Sequence, residues 1–104
     1  MALPKVTAAY EDCYDYFDQA RASANGIRIL LETKTQAMHL QFRLHQARSL
    51  ERRDNSRIYD RSDPRYGKSE NDKFRVAVRE AAEGDSWWVY IEPWNQKVET
   101  VEEL

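Results

Sequence analysis

Arginine is the residue type this chain concentrates. Arg43, Arg48, Arg52, Arg53, Arg57, Arg61 and Arg65 all fall within residues 43–65, with His45 among them. Glu51, Asp54, Asp60 and Asp63 share the window, which therefore carries +3. The flanks have the opposite sign: residues 1–18 carry −3 and residues 76–104 carry −5. A guanidinium is a planar, permanently charged fork that matches phosphate and carboxylate. The chemistry this points to is recognition of a phosphate backbone. The competing reading is internal pairing with Glu51, Asp54, Asp60, Asp63 and the acids of the N-terminal segment, since surface charge of mixed sign is ordinary.

A second candidate lies in the C-terminal half. In the run Phe74–Glu80, Phe74, Val76 and Val78 alternate with Arg75, Ala77 and Arg79; in the run from Trp87, Val89 and Ile91 alternate with Trp88 and Tyr90. If the valines and isoleucine face a core, Arg75 and Arg79 share the opposite face with Trp88 and Tyr90. A sheet face of cations and aromatic rings can stack unpaired bases. The plainer use is cover by a helix or another subunit, with cation–π packing beneath. Trp94, just after Pro93, reads as an interface aromatic or a core edge.

Other constellations fall away. Gly67-Lys68-Ser69 lacks the glycine a phosphate loop needs, because position 62 is serine and the next element reads as a strand. Ser69 and Asp72 have the spacing of a capping box, which shapes a local turn. Cys13 falls on an apolar helical stripe and reads as a buried structural thiol. His39 and His45 fall on different sides of a helix and make no metal pair. Glu11, Asp15 and Asp18 form an acidic row at i, i+4, i+7. That row reads as a solvated face, or alternatively as a protein-binding surface that mimics phosphates. No acid–base pair, nucleophile or metal set assembles from the spacing, so neither enzyme activity nor a cofactor is expected.

These residues need elements to position them. Residues 7–24 read as a helix, with Thr7 as N-cap and a stripe of Tyr10, Cys13, Tyr14, Phe17, Ala20 and Ala24. Asn25-Gly26 ends it, and residues 27–33 alternate as a strand. Residues 35–54 alternate at Met38, Leu40, Phe42 and Leu44 but also recur helically at Ala37, Leu40, Leu44 and Ala47. About twenty residues without Gly or Pro exceed a normal strand, so a helix capped by Thr35 is expected. Met38 and Phe42 then form a second apolar face against the first helix. Ile58, Tyr59 and Tyr66 are expected to pin a long polar loop, residues 55–72, to the body. A hairpin follows, closed by a turn around residues 83–85 and ended by Pro93.

The fold class is therefore α+β: a small three-stranded antiparallel-type sheet packed with two helices, in the order α-β-α-loop-β-β. Its sheet core should be Ile27, Ile29, Leu31, Phe74, Val76, Val78, Val89 and Ile91. At 104 residues the chain reads as one domain, with an acidic tail at 95–104. It is 41% hydrophobic and 33% charged, more charged than most globular proteins. A lone cysteine allows no intrachain disulfide, no signal peptide is apparent, and no apolar run approaches a membrane span. Cytoplasmic location without membrane contact is the natural expectation.

The stretch from Gly26, with its short strand, TQAMHLQFRLHQARSLERRDNSRIY, DPRYGKSENDKF and hairpin, resembles small accessory proteins encoded by bacteriophages and prophages. That resemblance implies a nucleic-acid partner or a host protein, including a defence component. The leading expectation is a non-enzymatic module for DNA or RNA, single strands favoured. Arg43, Arg48, Arg52, Arg53, Arg57, Arg61 and Arg65 would hold the backbone, and Arg75, Arg79, Trp88 and Tyr90 would stack bases. Replacing Arg48, Arg52 and Arg57 with alanine should then abolish binding without lowering the melting temperature. The alternative is an inhibitor or adaptor that binds a protein through Glu11, Asp15 and Asp18 or through the loop. A homodimer is compatible with either.

Overall fold

The computed structural model describes residues 9–82 and 84–94. Helix α1 spans Glu11–Ala22, strand β1 Ile27–Leu31, helix α2 Lys34–Ile58, strand β2 Phe74–Glu80 and strand β3 Trp87–Pro93; a 3-10 turn at Glu70–Lys73 leads into β2. The sheet order is β1-β3-β2, antiparallel throughout. This is the expected α+β class and element order. Thr7 and the 95–104 tail lie outside the described residues.

Both helices pack on one face of the sheet. Cys13, Phe17 and Ala20 of α1 and Ala37, Leu40, Leu44 and Ala47 of α2 are buried with Phe74, Val76, Val89 and Ile91. Ile27, Ile29, Leu31, Val78 and Trp87 pack around them. The Phe17 and Phe74 rings stack at 6.1 Å. Each large apolar side chain so buried contributes roughly 1.5–3 kcal/mol. Tyr14 Oη donates to Ala47 O at 3.0 Å and ties α1 to α2. Burial pushes the Tyr14 hydroxyl up to about 12. Burial likewise takes the Cys13 thiol to about 11, so it stays protonated, as a structural thiol should.

Gly26 makes the turn into β1 possible. Its φ is 84°, and a Cβ there would lie 2.0 Å from Ile91 O. Only a residue without a side chain allows β1 to approach β3 this closely.

Several boundaries differ from expectation, each for a local reason. β1 ends at Leu31 because Thr33, not Thr35, caps α2: its hydroxyl accepts from the Gln36 amide, and the Gln36 side chain accepts from the Thr33 amide. At its other end α2 runs on to Ile58 and absorbs the start of the expected loop. Asn55 Nδ2 donates to Lys68 O and Ser56 Oγ to Arg52 O, so two residues that read as loop formers are satisfied within the helix. Ile58 does not pin the loop; it is 70% exposed. Tyr59 and Tyr66 are half-buried. Met38 and Phe42 are exposed and do not form a second packed face. On α1, Ala24 is exposed and Tyr10 occupies the N-cap position without a side-chain bond.

Candidate nucleic-acid interface

The arginines of residues 43–65 divide into three groups. Arg43 is held by Asp12 through two bonds of 2.7 and 2.8 Å and also donates to Ala9 O. That bidentate pairing holds Asp12 below its ordinary value of 3.8. Arg52 pairs with Asp72. Burial pushes Asp72 up, but bonds from Arg52 and the Ser69 amide outweigh it and hold the carboxyl low. Arg65 pairs with Asp63 at 2.9 Å and lies 3.9 Å from the Tyr59 ring centre. Its hydrogen bonds bring Asp63 down to about 2.

Arg48 is the second group. It is only 6% exposed. Nη1 donates to Asn71 O and Phe74 O, and Nη2 to His45 Nδ1 at 2.8 Å. A guanidinium can only donate, so His45 Nδ1 carries a lone pair. Desolvation and the charges of Arg48 and Arg52 push His45 below its ordinary 6.5. Arg48 is thus a clasp between α2 and the 3-10 turn, and it is not presented to a phosphate. Glu51 completes the clasp, accepting from Ser69 Oγ at 2.8 Å and Asn71 Nδ2 at 2.7 Å. Ser69 and Asp72 close the expected capping box.

Arg53, Arg57 and Arg61 form the third group. They are exposed and have no hydrogen-bond or ion-pair partner among the described residues. Arg53 and Arg57 lie one turn apart on the solvent side of α2.

The second candidate surface is the sheet face that neither helix covers. Register places Arg28, Tyr90 and Ala77 in one row and Leu30, Trp88 and Arg79 in the next; Arg75 and Glu92 lie alongside. The four residues expected there, Arg75, Arg79, Trp88 and Tyr90, do share this face. Arg28 lies 3.8 Å from the Trp88 ring centre and donates to Tyr90 Oη at 3.4 Å. Arg79 lies 4.4 Å from the Tyr90 ring centre. Glu92 takes both Arg75, at 2.8 Å, and Arg79, at 3.0 Å. Leu30 is 53% exposed beside Trp88, and Trp94 is 57% exposed beyond Arg75.

Arg28 and Leu30 are the functional candidates that sequence reasoning missed. Alternation already turned them away from the core. What it did not supply was strand order, which sets β1 directly against β3 and puts Arg28 between Trp88 and Tyr90. The helical arginines lie on the opposite side of the sheet layer, so the two candidate surfaces are separate.

The acids Glu11 and Asp15 are exposed with no partner among the described residues, whereas Asp18 pairs with Arg21. No group of His, Cys, Asp or Glu among the described residues could hold a metal ion. No helix among them is long and apolar enough to cross a membrane. The chain matches no protein-family model, and no curated protein or solved structure is similar to it above chance.

Proposed function

We propose that this chain is a non-enzymatic accessory module that binds single-stranded nucleic acid on the open face of its sheet. The observation that carries the reading is the cluster on the sheet face that neither helix covers: half-buried Trp88 and Tyr90 beside exposed Leu30, Arg28 and Arg79. Unpaired bases offer flat faces to aromatic and guanidinium planes, at roughly 1–3 kcal/mol per stacked base. Duplex bases are already stacked on each other and cannot use such a platform. Arg53, Arg57 and Arg61, which have no partner among the described residues, lie on the other side of the molecule.

A short labelled single strand tests this. Wild-type protein should bind at low salt and lose affinity as salt rises. Trp88→Ala should weaken binding roughly tenfold or more. The triple replacement of Arg53, Arg57 and Arg61 by alanine should cost much less, because a short strand on the sheet face does not reach them. If the triple variant loses binding and Trp88→Ala does not, the helix is the interface and the sheet is not.

A second reading, a protein-binding inhibitor or adaptor, draws on Met38 and Phe42. They are 47% and 57% exposed one turn apart on α2. Exposed apolar pairs at this spacing suit a partner groove or helix. Phe42→Asp would abolish such a complex while leaving single-strand binding intact.

A further inference from the structure

Arg28 differs from the other two arginines of the open face. Arg75 and Arg79 share the Glu92 carboxylate. Arg28 has only aromatic partners, Trp88 and Tyr90, and no carboxylate among the described residues. It is therefore the one arginine of this surface without a carboxylate partner among the described residues. It also stands between two concavities. One, of about 330 Å³, is walled by Leu30, Trp88, Asp85 and Ser86. The other, of about 240 Å³, is walled by Tyr90, Glu92, Asn25 and Gly26. Arg28 lines both.

We propose that this arrangement is a dinucleotide-step site, resting on the single-strand reading above: consecutive unpaired bases occupy the two concavities, and the phosphate that joins them sits on Arg28. The argument is one of complementarity. A dinucleotide step presents two flat apolar bodies with one negative charge between them. The face presents two concavities, each bounded by an aromatic ring and rimmed by one carboxylate, Asp85 or Glu92, with the Arg28 guanidinium between them. The guanidinium is already ordered by the Trp88 ring and the Tyr90 hydroxyl, so little side-chain freedom is lost when the phosphate arrives. Its Cζ lies 3.8 Å from the indole centre and the side chain is exposed, so its N–H groups can reach a phosphate oxygen beside a stacked base.

Salt dependence separates a phosphate contact from mere packing. For a single strand the slope of log K against log salt is about −0.7 per phosphate neutralised. Arg28→Gln should therefore make the slope shallower by about 0.7 and weaken binding of a short strand roughly tenfold. Arg28→Lys should keep the wild-type slope but bind more weakly, since a point charge lacks the planar stack. Arg57→Gln should leave the slope unchanged, because a short strand on the sheet face does not reach it. Arg28 is exposed, and an unchanged melting temperature for both Arg28 variants verifies the fold. If Arg28→Gln keeps the full slope, or Arg57→Gln loses as much, the step site is wrong. In that case Trp88-dependent binding still upholds the sheet-face reading. If wild-type protein binds no strand at low salt, both fall together.

Discussion

The Arg48 guanidinium gives its bonds to the carbonyls of Asn71 and Phe74 and to His45. Removing it leaves buried acceptors without donors, which costs about 1–3 kcal/mol per group. Arg48→Ala should therefore lower unfolding free energy by roughly 2–4 kcal/mol in denaturant titrations, contrary to the expectation that it is dispensable for the fold. Arg57, exposed and without a partner among the described residues, should change stability by no more than about 0.5 kcal/mol when replaced by alanine. His45 adds a pH dependence. Its folded value lies below the unfolded 6.5, so the unfolded chain takes up the proton first. The stability it contributes is full above 6.5 and is lost as pH falls through that value towards the lower folded one. The melting temperature should drop as pH falls from neutral through 6.5, and His45→Gln should flatten that drop. Asp12, lowered by Arg43, adds a separate loss only below its unfolded 3.8.

At the scale of elements, the question is why one sheet face stays open. Both helices are drawn to the Val76, Val89 and Ile91 face, and β1 is joined to α1 by a turn that only Gly26 fits. Gly26→Ala would set a methyl group 2.0 Å from Ile91 O in a backbone conformation unfavourable to alanine. It should detach β1, destabilise the protein severely in thermal unfolding, and disperse Arg28 from Trp88. Alternation made β2 legible from end to end, and length with composition identified α2 as a helix. These signals are local, carried by each segment alone. The end of α2 was not legible, because Asn55 and Ser56 look like loop residues until Lys68 O and Arg52 O satisfy them. Strand order was not legible either, since nothing within residues 27–31 says which neighbour they pair with. For that reason Trp88 and Tyr90 were recognised as face-mates of Arg75 and Arg79, while Arg28 was overlooked. Which arginines were paired likewise depended on α1 and the 69–73 segment folding back onto α2.

At the scale of the whole molecule, charge does not decide the partner. The chain carries −2, yet fields of exposed charges fade within about 10 Å at ~0.1 M salt. A strand on the sheet face therefore responds to the guanidinium groups beside it more than to the total. The arginine concentration that first suggested phosphate binding is largely absorbed into the fold, through Asp12, Asp63, Asp72 and the Arg48 clasp. The proposed interface lies on the other side of the sheet, where Arg28 is exposed beside the half-buried rings of Trp88 and Tyr90. The most direct test is a titration of wild type and Trp88→Ala with a short single strand at low salt. Binding by wild type that weakens roughly tenfold or more in a folded Trp88→Ala variant is the predicted result. Equal binding by the two proteins would contradict the sheet face as the interface, and no binding by wild type would contradict the function itself.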